Sequence, residues 1–264
     1  MAVLTHADVT LTYHDTHASG TPVLLVHGTA AALWGRVPEG LAPHRVISYA
    51  RRGFDGSTGP LPTSLHDHVE DAMAFLDALD IPSCVVVGWS IGGVLALDLA
   101  LTAPNLVAGL VLIEPPWHVK RALSLRLLRG PIAAAIRGRH DPQAGAKLFL
   151  RWALRDATGP EPDVTLPAGW WDQMLTNDAA ILHEIGLGTG EYLTRRSLTF
   201  LTCPVIVLTG DRSDPSFTRA AAKLAAATPG ATLRTVAQSG HAMQVDRPDA
   251  IINAVQAIRR SRTD

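Results

Sequence analysis

The chain has 264 residues, of which 47% are hydrophobic and 18% are charged, and this composition excludes a disordered chain and allows one large α/β domain. Its formal net charge of −1 gives no global electrostatic reason to expect a nucleic acid or a membrane surface as partner. We therefore expect a small-molecule partner, no nucleic acid and no membrane. The sequence leaves the oligomeric state open, a homodimer included.

Both cysteines, Cys84 and Cys203, begin apolar runs that are typical of buried strands. Their positions predict neither a disulfide framework nor a metal site, so we expect a reducing, cytoplasmic location and no cofactor. Residues 1–12 alternate as a strand does, without the apolar stretch of an export signal. The longest apolar tract, residues 85–103, is interrupted by glycines and Asp98, which predicts no transmembrane segment.

Short apolar runs typical of strands recur along the chain, with helix-length stretches between several of them. After the alternating residues 9–13, these runs are Val23–Val26, Val46–Tyr49, Cys84–Gly88, Leu110–Ile113, Val205–Thr209 and Thr232–Val236. This alternation predicts a parallel sheet covered by helices. Leu65–Leu79 carries its apolar residues largely on one face and predicts a surface helix, whereas Ile91–Leu101 is apolar nearly all round and predicts a buried one.

The alternation stops between about Pro115 and Leu201, where amphipathic segments are broken by Gly-Pro pairs and no clear strand occurs. We predict that residues 1–114 and 202–264 form the core and that residues 115–201 form an inserted helical cap. The first part of this segment is rich in lysine and arginine, including Lys120, Arg121 and Arg126. These side chains form either a solvated helix face or a surface for an anionic substrate or an acidic partner.

Ser90 lies in Gly88-Trp89-Ser90-Ile91-Gly92-Gly93, directly between an apolar strand and an apolar helix. This strand-turn-helix setting suits a nucleophilic serine, because flanking glycines let the strand and the helix approach each other around a strained turn. The free amides at the start of the following helix favour negative charge. We predict that the Ile91 amide, together with the Thr29 amide after an earlier strand, forms an oxyanion hole.

A serine nucleophile needs a general base, and His241 follows the last predicted strand at the sheet edge where Ser90 is expected. His27 is expected to pack and to form hydrogen bonds. In chain order, His27-Gly28, the Gly-x-Ser-x-Gly-Gly motif and the late Ser-Gly-His resemble the α/β-hydrolase superfamily over nearly the whole chain. The resemblance implies an α/β-hydrolase fold with a mostly parallel eight-stranded sheet. The segment Val46–Ser57 is similar to the family's Asp-x-Arg-Gly-x-Gly-x-Ser stretch, with Ala50 in place of the aspartate, so we expect a local rearrangement there.

The third member of the triad has two candidates. Family members usually carry the acid three residues past the glycine after the strand at Val205–Thr209, and Ser213 stands there. Glu114 follows the sixth strand and resembles the placement in zearalenone-lactone hydrolases and glutamate-type haloalkane dehalogenases. Asp214 is the alternative, although Asp214-Pro215 also fits a helix N-cap followed by proline. We predict Glu114 as the acid.

A serine nucleophile favours acyl transfer over the alkyl-enzyme chemistry of an aspartate nucleophile. We predict hydrolysis of a carboxylic ester or lactone through an acyl-enzyme. The alternatives are a carbon–carbon or thioester hydrolase with the same triad, and a slow-turnover ligand receptor of the same superfamily. Tryptophans in or beside the predicted cap indicate a hydrophobic substrate pocket. We expect its wall to include Trp89, Trp117, Trp170 and Trp171, and Trp152 lies in the same stretch.

Overall fold

The computed structural model describes residues 1–117, 129–157 and 161–260, and an eight-stranded sheet runs through them. The strands are β1 (Ala2–His6), β2 (Val9–Asp15), β3 (Pro22–Val26), β4 (Arg45–Tyr49), β5 (Cys84–Trp89), β6 (Val107–Ile113), β7 (Val205–Gly210) and β8 (Thr232–Val236). Their spatial order is β1-β2-β4-β3-β5-β6-β7-β8. The pairs β1–β2 and β2–β4 are antiparallel and all other pairs are parallel, which confirms the predicted mostly parallel sheet.

The sequence patterns did not separate β1 from β2. The side chains of β1 are almost all exposed, because this strand lies at the edge of the sheet. It therefore lacks the apolar alternation by which a half-buried strand is recognised. The central strands β5, β6 and β7 are buried at every residue, which explains why they read as continuous apolar runs.

Helices cover both faces of the sheet. Those of the core are α1 (Val37–Gly40), α2 (Leu65–Ala78), α3 (Ile91–Thr102), α10 (Pro215–Ala227), α11 (Met243–Asp246) and α12 (Pro248–Arg260). Alternate strand residues face opposite sides, so Val86 packs in one apolar cluster with α2 and α3 while Val87 packs in the other with α1 and α12. The helix α3 is buried from its first residue to Ala100, as its nearly all-apolar sequence predicts.

The described part of the segment between β6 and β7 contains six helices joined by turns and loops, and no strand. Its helices are α4 (Arg129–Gly138), α5 (Pro142–Ala153), α6 (Pro162–Thr165), α7 (Trp170–Leu175), α8 (Asp178–Leu187) and α9 (Arg195–Leu198). The helices α4, α5 and α8 pack against one another. Lys120, Arg121 and Arg126 of the basic stretch lie outside the described residues. Among the described helices, none is long and apolar enough to cross a membrane.

Candidate active site

Ser90 occupies a sharp turn between β5 and α3. Its backbone has φ 55° and ψ −123°, a conformation that a non-glycine residue adopts only when the surrounding structure holds it there. Its amide donates to the Ile113 carbonyl on the neighbouring strand at 2.8 Å. A Cβ at Gly88 would lie 2.4 Å from the Gly92 carbonyl oxygen, and a Cβ at Gly92 would lie 2.1 Å from the Val26 carbonyl oxygen. Glycine at both positions is therefore what allows strand and helix to approach around Ser90.

The two predicted oxyanion donors lie at the same place as the serine. Thr29, Ser90, Ile91 and His241 all line one cavity at the carboxyl end of the parallel strands. Within the described part of the chain, no backbone carbonyl accepts a hydrogen bond from the Thr29 or Ile91 amide. Both amides are thus available to a ligand, and the Ile91 amide stands at the start of α3, where the helix dipole favours negative charge.

His241 is held by contacts on three sides. Its Nδ1 lies 2.7 Å from Glu114 Oε2, and both side chains are buried. The Trp89 indole Nε1 donates to the His241 carbonyl at 2.8 Å, and the Phe217 ring stacks on the imidazole with centroids 4.1 Å apart. Because Nδ1 faces a carboxylate, it carries the proton, and Nε2 is left as the free base.

Glu114 directly follows β6 and has a positive φ of 45°, which turns its side chain beneath His241. Its Oε1 accepts from the Thr209 hydroxyl at 2.9 Å and from the Gly210 amide at 2.8 Å. Burial by itself would raise the pKa of Glu114, but the hydrogen bonds from its neighbours, His241 first among them, hold the pKa below its usual value. The carboxylate is therefore ionised at neutral pH and can stabilise a protonated imidazole.

The cavity beside Ser90 has a volume of about 100 Å³ and a predominantly apolar wall. Its apolar lining comes mainly from α5, α8 and α10 and includes Phe149, Leu150, Trp152, Leu154, Ile185 and Phe217. A serine hydroxyl, a histidine paired with a carboxylate, and amides without backbone acceptors among the described residues therefore converge on an apolar space. This is the set of groups that acyl transfer needs.

Comparison with known proteins agrees with this geometry. A family model described as "Alpha/beta hydrolase family" matches residues 23–254. The chain belongs to the α/β-hydrolase family. The hydrolase is 33% identical over 174 residues to a putative carbamate hydrolase RutD from Variovorax paradoxus, a match that covers 60% of this chain and 57% of the relative. It thus spans a little over half the length of that curated relative.

Solved structures share the fold of the hydrolase over nearly its full length. An enol-lactonase from Burkholderia xenovorans has a TM-score of 0.79 at 19% identity, covering 98% of this chain and 100% of its own. A bromoperoxidase from Bacillus anthracis has a TM-score of 0.80 at 21% identity, covering 98% and 99%. Identities this low show the fold alone.

Asp214, the alternative acid of the hydrolase, has other partners. It is the N-cap of α10, and its Oδ1 accepts from the Ser216 amide at 2.9 Å and the Ser216 hydroxyl at 2.7 Å. Its Oδ2 lies 3.3 Å from Arg155 Nη2. Burial would raise the pKa of Asp214, yet these hydrogen bonds keep the pKa below its usual value. The geometry therefore gives Asp214 a capping role and leaves the contact with His241 to Glu114.

Replacing Asp214 with alanine should destabilise the hydrolase without slowing its chemistry. The loss of an N-cap typically costs about 1 kcal/mol of stability. Urea denaturation should show that loss, while kcat with an activated ester should stay within about twofold of the wild type, well inside one power of ten. A fall of kcat by several powers of ten in a folded Asp214→Ala protein would identify Asp214 as the acid of the triad.

The four tryptophans predicted for the substrate pocket lie at different places in the structure. Trp89 lines the cavity, whereas Trp117, Trp170 and Trp171 are not part of its described wall. Trp117 is buried in the core and donates to the Leu193 carbonyl at 2.7 Å, and Trp171 packs against the second apolar cluster. Residue type alone does not distinguish a tryptophan that packs from one that meets a ligand. Trp152, on α5, lines the cavity.

The sequence patterns missed a buried charged pair next to the site. The Arg51 guanidinium contacts the Glu184 carboxylate of α8, with Nη2 to Oε2 at 3.1 Å and a second contact between Nη1 and Oε1. Both side chains are at most 2% exposed, and Glu184 lines the cavity. His68 Nε2 lies 3.5 Å from Glu184 Oε1. The signal available in the sequence was a glutamate in the middle of α8, a helix that is apolar apart from Asp178, His183 and this residue, since a buried charge requires a partner.

Ala50 stands where the family's aspartate is usual, and its backbone is held by hydrogen bonds to other segments. The Ala50 amide donates to the Thr12 carbonyl at 2.9 Å, and the Ala50 carbonyl accepts from the Ser57 hydroxyl at 2.8 Å.

Asp55 and Asn177 form a reciprocal pair, with the Asp55 amide donating to Asn177 Oδ1 at 2.9 Å. Asn177 Nδ2 also donates to the Ala30 carbonyl at 2.9 Å. These bonds join the helical segment to the loop that carries Thr29.

Proposed function

We propose that this hydrolase cleaves a carboxylic ester or lactone of a small, hydrophobic molecule through an acyl-enzyme on Ser90. The observation that carries the proposal is the buried 2.7 Å contact between His241 Nδ1 and Glu114, placed behind an apolar cavity whose wall Ser90 and His241 share. An oriented base that shares a cavity with a half-buried serine is the arrangement that nucleophilic acyl transfer requires.

In the proposed reaction, Ser90 Oγ attacks the carbonyl carbon while His241 Nε2 takes the hydroxyl proton. The Thr29 and Ile91 amides donate to the oxygen that becomes negatively charged. Collapse of the tetrahedral intermediate expels the alcohol oxygen, which receives the proton from His241, and leaves an ester on Ser90. A water molecule then loses a proton to His241, attacks this ester, and releases the acid as the proton returns to Ser90 Oγ.

The cavity and the names of similar proteins support the proposed substrate class. An apolar wall favours an uncharged, hydrophobic acyl group, and a volume of about 100 Å³ favours a small one. One relative is named a putative carbamate hydrolase and one structural neighbour an enol-lactonase, and carbamates and lactones, like esters, contain a carbonyl carbon. We also propose that residues 115–201 are a cap that selects the substrate, since α5 and α8 supply much of the wall.

The test uses a fluorophosphonate probe together with p-nitrophenyl acetate and butyrate. We expect the wild type to be labelled and to hydrolyse both esters, and Ser90→Ala to do neither. Ser197→Ala, which changes a serine of α9 outside the cavity wall, is the matched control and should behave as the wild type. Absence of labelling, or equal labelling of the Ser90→Ala protein, would refute the proposal.

A substrate panel separates the proposal from its alternatives. Esters and lactones should turn over faster than thioesters, carbamates and substrates cleaved at a carbon–carbon bond. A labelled protein that releases one equivalent of p-nitrophenol and then stops would instead behave as a slow-turnover receptor. Preference for any of the other bond types would reassign the reaction while retaining the Ser90 nucleophile.

A further inference from the structure

The carbonyl of Gly28, in the loop that carries Thr29, accepts hydrogen bonds from three donors. These are Arg51 Nη2 at 3.0 Å, His27 Nδ1 at 2.7 Å and the Ala30 amide at 2.9 Å. His27 Nε2 accepts from the Arg51 amide at 3.0 Å, so the imidazole proton must lie on Nδ1. Arg51 therefore acts on this loop twice, once through its side chain and once through its backbone.

The Gly28 carbonyl and the Thr29 N–H belong to the same peptide unit. A trans peptide is planar, and its C=O and N–H point in opposite directions. Holding the carbonyl oxygen on the side of Arg51 consequently turns the Thr29 N–H to the opposite side. Thr29 lines the cavity with Ser90, and its amide is free of backbone acceptors among the described residues. The orientation of one predicted oxyanion donor thus depends on what binds the Gly28 oxygen.

Glu184 determines where the Arg51 guanidinium lies. Its carboxylate contacts both terminal nitrogens of Arg51, and the guanidinium also stacks over the Phe54 ring at 4.7 Å. Neither charged side chain has appreciable exposure to solvent. A buried ion pair of this kind often contributes no more stability than apolar residues of the same volume, so stability alone does not account for it.

We propose that Arg51 and Glu184 are positioning residues that orient the Thr29 amide in the oxyanion hole. Glu184 lies on α8, next to Ile185 in the cavity wall, so the pair connects the substrate-binding segment to the donor of the oxyanion hole. This inference rests on the function proposed above and deepens it. It assigns transition-state stabilisation to a charge pair that does not touch the reacting atoms.

The test compares turnover with the binding of an oxyanion mimic. In Arg51→Met we expect kcat with p-nitrophenyl butyrate to fall by about 10- to 100-fold, less than the two to three powers of ten typical of a lost donor. The inhibition constant of phenylboronic acid, which forms a tetrahedral anion on the serine, should rise by a similar factor. KM should change by less than about threefold, because the ground-state ester does not need the donor.

Two further variants keep the test informative if Arg51→Met does not fold. Arg51→Met/Glu184→Leu removes both buried charges, should fold, and should still show the loss of kcat and of boronate affinity. Arg51→Lys should keep part of the wild-type kcat and part of the boronate affinity. The matched control is Arg52→Met, since Arg52 pairs with Asp71, with Nε to Oδ2 at 2.6 Å, and does not line the cavity. Arg52→Met should leave boronate affinity and kcat near wild-type values.

The outcomes separate this inference from the proposed function. If the wild type is not labelled by the fluorophosphonate, the proposed function fails and this inference fails with it. If the wild type is active and the folded double variant keeps wild-type kcat and boronate affinity, only the positioning role is refuted. A crystal structure of the double variant in which the Gly28–Thr29 peptide keeps its orientation would also refute it, whatever the activity.

Discussion

Glu114→Gln should lower kcat by about four powers of ten, the cost of an acid-to-amide change in a Ser-His-Asp triad. The reason lies in the hydrogen bonds of the carboxylate. Oε1 accepts from the Thr209 hydroxyl and the Gly210 amide, so a glutamine would keep its carbonyl oxygen there and place its NH₂ group opposite His241 Nδ1. The imidazole would then have to accept at Nδ1 and carry its proton on Nε2, where it cannot take the proton of Ser90.

The measurement is steady-state kinetics with p-nitrophenyl butyrate, together with thermal unfolding of each protein. KM of Glu114→Gln should stay within a few-fold of the wild type, because the change reaches the substrate only through His241. Asp214→Ala serves as the control acid variant, losing stability while keeping kcat. A folded Glu114→Gln protein with nearly normal kcat would show that His241 is oriented by another group.

The features that sequence reasoning predicted well are local ones. The turn around Ser90 is encoded within six consecutive residues, because the strain at the serine and the need for glycine at position 88 arise from neighbours in the chain, whereas Gly92 is also required by the close approach of β3. Thr29 and His241 could be placed because each follows a strand of a parallel sheet, and such strands end at one edge. Asp214 as an N-cap is local as well.

The features that remained open or were missed depend on distant side chains. Two residues remained candidates for the triad acid, because the sequence does not reveal that the side chain of Glu114, at a positive φ, contacts a histidine 127 residues away. Arg51 and Glu184 are 133 residues apart, and no pattern within either segment relates them. The tryptophans show the same limit, since Trp117 and Trp152 differ in what surrounds them and not in their own residue type.

Moving the acid to the position of Ser213 should recover activity lost on removal of Glu114. Ser213 is buried, and a Cβ at Gly210 would lie 2.9 Å from its hydroxyl oxygen. It is thus next to the residue whose amide binds Glu114 Oε1. An aspartate carries its carboxylate one bond further from Cβ than the serine hydroxyl, which extends its reach toward the space that Glu114 occupies.

Glu114→Gly is the suitable background, because glycine tolerates the φ of 45° and leaves that space empty. We expect Glu114→Gly/Ser213→Asp to exceed the kcat of Glu114→Gly by about 100-fold, in the range of one restored acid–base interaction. Glu114→Gly/Ser213→Asn has the same shape without the charge and should recover nothing. Ser213→Asp alone should be less stable than the wild type, because two buried carboxylates would compete for one imidazole. Equal activity of the aspartate and asparagine double variants would mean that this position cannot orient His241.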